Sequence, residues 1–391
     1  MPRPILYVSP TAVHGGAEEV LLRVMLYART LGYAPVLVAP RAGWLTERCV
    51  EHDIPVETLP VIPDTFATTS WRQQLRPWLP SALGVARLAR KWRPAIVHSN
   101  TPRVSYHGGL GARLAGVRTV THVHDIYGLP YASRPQARLL AALADWTLVP
   151  SHAVERAVVG YMPRLRSRIQ TLYNGWDATE YDDVRPADLR ALYGIPPEAV
   201  VIGSAAAMHP WKGQDVLIEA FRAVHAQEPR AHLVLVGGAQ GGAAQSEFEA
   251  ELHRRAGAHG LGGAVTFTGW REDALAFIRA FDIFVHAPTQ PDPLPTAVLH
   301  AAALGRAIVA SNSGGIPEIV LDGTAGLLMP PGNADALAHT ICELVDDPTR
   351  RAALGAQARA HFSERFSRRQ MMDGLAHAYE ACLKSGGQKG R

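Results

Sequence analysis

Twice along this chain, short runs rich in Val, Ile and Leu alternate with stretches whose apolar residues recur at helical spacing. The first series of runs is ILYVS, APVLVAP, PAIVHSN, RTVTHVHD, WTLVP and IQTLYNG; the second is VVIGSAAA, AHLVLVGG, AVTFTG, DIFVHAP and RAIVAS. Between them lie helical patterns such as GAEEVLLRVMLYARTLG and SHAVERAVVGY in the first half and GQDVLIEAFRAVHA and LPTAVLHAAALG in the second. A strand that returns through a helix re-enters its sheet parallel to the one before, and a strand without polar alternation is covered on both faces. The pattern predicts an α/β chain of two Rossmann-like, doubly wound parallel sheets in tandem.

The alternation pauses once, at YNGWDATEYDDVRPADLRALYGIPPEA, a polar and turn-rich stretch of the kind that joins domains. It divides the chain into residues 1–184 and 185–366, each long enough for its own core. Residues 61–93 interrupt the first series with Trp71, Trp78 and Trp92 set among Arg and Pro. That segment reads first as a packed helical insertion, and otherwise as a flap over an acceptor or an amphipathic segment in peripheral contact with a membrane. Three helical stretches follow residue 333, and the closing SGGQKGR is too polar and glycine-rich to pack.

Composition narrows the class of function. At 47% hydrophobic and 19% charged residues, this is the balance of a soluble globular protein. The opening MPRPILYVSP reads as a first strand with no h-region, so no secretory leader is expected, and no run is long enough for a membrane span. Cys49, Cys342 and Cys382 are odd in number and far apart, which argues against a disulfide framework or zinc site and for a reducing cytoplasm. Residues 1–184 carry 20 Arg and Lys against 14 Asp and Glu, while 185–391 carry 19 against 21. So diffuse a basic excess suits a solvated surface more than an anionic acceptor or a membrane. No nucleic-acid motif accompanies it, and nucleic acid is not expected as a partner. The Ala- and Arg-rich usage points to a GC-rich, bacterial genome.

In a parallel sheet, ligands gather beyond the carboxyl ends of the strands, where loops enter helix N-termini. Between 286 and 320 the chain leaves DIFVHAP through a Pro-rich loop holding Asp292 and enters a helix near Leu294. After RAIVAS it meets Ser313-Gly314-Gly315 and then Glu318. Those two loops describe half of a site for an anion and a hydroxyl. After the first strand, His14-Gly15-Gly16-Ala17-Glu18 offers two glycines where amides can approach a phosphate, although it is not the G-x-G-x-x-G of dinucleotide-binding proteins. Lys212 is one of only four lysines, with Lys91, Lys384 and Lys389, and stands between a strand and a helix as a point charge suited to a diphosphate. In His122-Val-His124-Asp125, alternation sets both histidines on one side of a strand end and Asp125 opposite. A histidine so placed can donate to a sugar hydroxyl. No Asp-x-Asp pair suggests a metal site.

Taken in order and spacing, GGAE at 15–18, YNGWD at 173–177, PWKGQDVLIEAF at 210–221, FTGWRED at 267–273 and PDPLP…GGIPEIV…GTAGLLMPP at 291–331 form a set. They resemble the retaining, nucleotide-sugar-dependent glycosyltransferases of the GT-B fold, specifically the fourth family, over nearly the whole chain. The resemblance implies two Rossmann-like domains facing a central cleft, with the donor mostly on the second and the acceptor mostly on the first. A last helix near 367–385 would pack back on the first domain. It implies transfer of a hexosyl group from a nucleoside-diphosphate sugar, most often of uridine, to a small-molecule, lipid-linked or saccharide acceptor. Retention of configuration and independence of metal or cofactor are implied as well.

Residue by residue, Gly16 with Gly15 matches the turn whose amides meet the diphosphate. Lys212 matches the lysine that balances its charge, and His124 the histidine near the transferred sugar. Lys212, Asp292 and His124 are the expected catalytic set. Trp270 and Arg271 lie where the base is contacted. Asp292 and His300 occupy the two acidic positions of a Glu-x7-Glu motif, and Leu294, Pro295, Thr296 and Ala297 open the helix whose amides face the phosphates. His14, Glu18, His122 and Asp125 are candidate acceptor contacts on the first domain. The chain departs from the pattern at three positions. Ala207 replaces an arginine, Asp292 is about 1.5 Å shorter in reach than glutamate, and the neutral His300 ring accepts one hydrogen bond where a carboxylate accepts two. These departures keep a catalytically altered relative in view: a sugar-nucleotide-binding pseudo-enzyme, a phosphorylase or an epimerase.

Overall fold

A computed structural model describes residues 2–60, 78–126, 134–239 and 243–384. The chain separates into two compact units. The first runs to Asn174 and takes up the chain again from Arg369, and the second is Gly175–Arg368.

The first unit is built on β1 (Arg3–Val8), β2 (Tyr33–Ala39), β3 (Val56–Thr58), β4 (Ile96–Asn100), β5 (Arg118–His122), β6 (Trp146–Val149) and β7 (Ile169–Thr171). They hydrogen-bond in the order β3-β2-β1-β4-β5-β6-β7, and every pair is parallel. Leu6, Val8, Val36, Val38 and Val97 pack with Val85 and Ala89 of the helix Trp78–Trp92. Val123, Leu140, Val149, Val154 and Val158 form a second apolar cluster. The described part of the 61–93 segment is therefore a packed helix. Trp78 stacks on Tyr106 with ring centroids 5.4 Å apart, and Trp92 Nε1 donates to Glu57 Oε1 at 2.7 Å. Trp71 lies outside the described residues, as does the SGGQKGR tail. The helix Arg368–Lys384 brings Tyr379 into this unit, where its hydroxyl meets Tyr7 Oη at 2.8 Å and His98 Nδ1 at 3.0 Å.

The second unit holds β8 (Val200–Ala205), β9 (Ala231–Val236), β10 (Val265–Phe267), β11 (Ile283–His286), β12 (Ala307–Ser311) and β13 (Leu327–Met329). Their order is β10-β9-β8-β11-β12-β13, again wholly parallel. Phe221, Leu233, Val285, Val309 and Ile341 lie in its core. The stretch that reads from sequence as a joining segment packs here as well. Trp176, Tyr181, Leu189 and Ile195 are buried, the Trp176 N–H donates to Phe366 O at 3.0 Å, and Trp176 O accepts from the Arg368 N–H at 2.9 Å. Those few apolar side chains tie residues 175–184, grouped above with the first domain, into the second unit. The edge strands β3 and β13 are the two that the sequence reading passes over. No described helix is long and apolar enough to cross a membrane.

Candidate active site

In the second unit the chain leaves β8 toward one edge of the sheet and returns to β11 on the other side of it. The loops after these two strands therefore part, and a crevice opens between them. The loop after β8 ends in a 3-10 turn, Pro210–Lys212, and the loop after β11 carries Asp292. Lys212 Nζ donates to Asp292 Oδ2 at 2.7 Å and lies 3.9 Å from the centroid of the Trp211 ring. His286, the last residue of β11, meets the same Oδ2 through Nε2 at 3.0 Å.

Backbone geometry brings these groups together. Gly213 has φ +72°, and a Cβ there would fall 1.9 Å from Ala287 O. Thr289 N–H donates to Trp211 O at 2.9 Å and ties the two loops. Gly314, at φ +62°, lies directly on Asp292, where a Cβ would come within 2.0 Å of its carbonyl oxygen, and the Gly315 N–H donates to that oxygen at 2.8 Å. Positive φ and these close approaches require glycine at both positions.

Burial by itself would raise the Asp292 carboxyl, but the Lys212 charge and the hydrogen bonds from His286 and Lys212 outweigh it and hold the group well below the usual carboxylate range. Burial also lowers His286, and Asp292 only partly offsets this, so the ring is neutral near pH 7 and its Nε2 carries the hydrogen it gives to the carboxylate. The result is an ammonium at the crevice, held by a buried carboxylate with which an incoming phosphate can compete.

The other positions of this unit have mixed surroundings. Leu294 and Pro295 are buried and Thr296 and Ala297 half-buried where the helix Thr296–Ala303 begins. His300 is buried, with Nδ1 bonded to Tyr181 Oη at 2.7 Å and its ring edge-on to Trp176 at 5.1 Å. Arg271 grips Asp273 through two nitrogens, each at 2.8 Å, and lies over Phe277, while Trp270 is 46% exposed. Ala207 contributes its carbonyl, which accepts from Gln214 Nε2 at 2.9 Å. Sequence reasoning missed His286, which is hidden inside an apolar run, and Tyr181, hidden in a polar one.

In the first unit the same topology opens a crevice between β1 and β4. Gly15 caps the helix Gly16–Thr30 in extended backbone, and a Cβ on it would sit 2.8 Å from Glu18 Oε2. Glu18 is buried. Burial pushes its carboxyl up to about 7, against the pull of its own N–H and with reinforcement from Asp125, which is itself exposed. The His14 ring stacks on Trp44 with centroids 4.1 Å apart. His124 Nε2 lies 2.7 Å from Asn100 Oδ1, an acceptor, so that nitrogen carries the proton, and burial lowers the ring to about 4. His122 is fully buried between His98 and His124, and neither of its nitrogens has a hydrogen-bond partner among the described residues. Between Asn100 and the helix Pro102–Leu114, Thr101 takes φ +97°. No group of three metal-ligating side chains occurs among the described residues.

Two family profiles match in succession: Glycosyltransferase Family 4 over residues 14–180 and Glycosyl transferases group 1 over 187–361. The chain is 31% identical over 274 residues to the GDP-mannose-dependent monoacylated alpha-(1-6)-phosphatidylinositol monomannoside mannosyltransferase of Corynebacterium glutamicum, with 66% of this chain and 68% of that one covered. It is 32% identical over 310 residues to a D-inositol 3-phosphate glycosyltransferase of Rhodococcus opacus, with 77% and 65% covered. The chain thus spans about two thirds of the length of these relatives. Among solved structures, Anabaena HepE in complex with UDP and glucose aligns with a TM-score of 0.82 at 26% identity, over 96% of this chain and 98% of that one. The two parallel sheets and this likeness show a GT-B fold. With both profiles matched in order and a relative aligned over two thirds of its length, the chain belongs to the group 1 glycosyltransferases.

Proposed function

We propose that this glycosyltransferase moves a hexosyl group from a nucleoside-diphosphate sugar to an acceptor hydroxyl, with retention at the anomeric carbon and without a metal. The observation that carries the reading is the Lys212 ammonium, held 2.7 Å from Asp292 between the loops that follow β8 and β11. Breaking the anomeric C–O bond puts negative charge on the departing diphosphate, and donors already in place stabilise that charge best. Lys212 supplies a full charge, and the amides opening Thr296–Ala303 supply partial ones. Asp292 takes a hydroxyl of the donor sugar. In the first unit, His124, neutral and with its Nε2–H oriented by Asn100, is suited to donate to a sugar hydroxyl.

The relatives support a nucleotide sugar as donor: one is named for GDP-mannose, and the HepE structure holds UDP and glucose. UDP-hexose is the first donor to try and GDP-mannose the second. One relative is named for a phosphatidylinositol monomannoside and the other for D-inositol 3-phosphate, which favours a lipid-linked or small-molecule acceptor; a cytoplasmic setting belongs to the same proposal. The test is turnover of these donors over an acceptor panel, with the anomeric configuration of the product read by NMR and the rate compared with and without EDTA. An inverted product or a rate abolished by EDTA would overturn the stated mechanism.

One observation favours a second reading. Where the resemblance expects a ribose-binding carboxylate, His300 is engaged with Tyr181, and the arginine expected at 207 is alanine. A relative that binds sugar nucleotides without transferring them would show donor-induced stabilisation and no turnover, and a phosphorylase would need inorganic phosphate.

A further inference from the structure

We infer that His286 is a positioning residue of the donor site: its Nε2–H holds one oxygen of Asp292 so that the other is turned to accept a hydroxyl of the sugar. The inference rests on the donor reading above and adds to it a residue to which the sequence reading gave no role.

Lys212 Nζ and His286 Nε2 converge on Oδ2 at 2.7 and 3.0 Å. A carboxylate oxygen offers two lone-pair directions, so two donors saturate it and set the plane of the group. The other oxygen, Oδ1, receives neither donor. The main chain of Asp292 is fixed by Gly314 lying on it and by the Gly315 N–H on its carbonyl, which leaves only two side-chain torsions to settle.

The shorter side chain matters here. An aspartate keeps its carboxylate close to the end of β11, within reach of the buried His286, whose own backbone is held in register with Ala310 of β12. Lys212 by itself would orient the carboxylate poorly, because an ammonium on a four-carbon stem is a mobile point charge. It is also the contact that a diphosphate would draw away on binding. His286 is buried and neutral, so no charge draws it to a phosphate, and it stays on Oδ2 when Lys212 turns to its anion.

Free nucleoside diphosphates lack the sugar, so the two ligand types separate this role from a general loosening of the site. The experiment is calorimetric titration of UDP, UDP-glucose, GDP and GDP-mannose into the wild-type chain, His286→Ala and His286→Gln, with thermal melts to confirm folding. For the base that the wild type binds, the sugar nucleotide should bind about tenfold more weakly to His286→Ala, the effect of one lost hydrogen bond to a charged group. The affinity for the plain diphosphate should stay within about twofold. His286→Gln, whose amide N–H reaches the Nε2 position, should recover most of the loss. Equal weakening for diphosphate and sugar nucleotide, or a Gln variant no better than Ala, overturns the inference while leaving the donor reading intact. A wild-type chain that binds none of the four ligands overturns the donor reading, and the inference with it.

Discussion

Lys212 is the side chain on which the proposed chemistry depends, and its charge is shared with a buried partner before any substrate arrives. Lys212→Ala should lower kcat by about 10²- to 10³-fold, the usual cost of removing one preorganised donor from a developing charge. Because the variant leaves Asp292 buried beside His286 only, its stability should fall by about 3 kcal/mol, with the circular dichroism spectrum of the fold retained. Near-normal turnover in a folded variant would remove the assignment. Glu18 offers a pH test in the first unit. Its carboxyl, raised to about 7 in the folded chain from an ordinary 4.5, contributes stability that is full below about pH 4.5 and lost as pH rises through 7. Glu18→Gln should therefore be more stable than the wild type at pH 8, by on the order of 3 kcal/mol, with a higher melting point there and a nearly equal one at pH 4.5. A pH-independent difference would show that the carboxyl titrates normally. Lys212 was legible in the sequence because lysine is scarce and this one stands between a strand and a helix. Its pairing with Asp292, 80 residues away, was not, since contact across loops is a property of the sheet.

At the scale of elements, strained or crowded backbone marks the loops that follow the strands. Gly314→Ala would place a methyl group against the Asp292 main chain at a left-handed φ. Stability should fall by more than the roughly 1 kcal/mol of a simple glycine replacement, and sugar-nucleotide affinity should fall with it. A variant that melts and binds as the wild type does would show that the turn yields freely. Thr101, a β-branched residue at φ +97°, is the opposite case, because its strain is of the kind only glycine relieves. Thr101→Gly should stabilise the fold by about 1 kcal/mol, seen as a higher melting point, while loosening the Asn100–His124 contact beside it. Most elements could be read from period alone. The exceptions are β3, β13 and the helices Trp44–Glu51 and Arg134–Leu143, which the reading of the sequence passed over.

For the whole molecule, the helix Arg368–Lys384 closes the chain into the unit it began in. Ending the chain after Arg368 would remove Met371, Leu375 and Tyr379 from buried positions and strip Tyr7 Oη and His98 Nδ1 of their partner. The first unit should then melt below the second, giving two transitions in calorimetry, and a single unchanged transition would refute this. The sequence alone determined the α/β class, the two parallel sheets and the family, and it singled out Lys212 and Asp292 as candidates. Local period, turn chemistry and motif order suffice for those, because each is written in neighbouring residues. Only the tertiary structure decided that residues 175–184 pack in the second unit, that His300 turns to Tyr181, and that His286 and Lys212 meet on one oxygen. Those facts depend on which strands lie side by side and on where backbone contacts leave each side chain, and neither is encoded within any short stretch of chain.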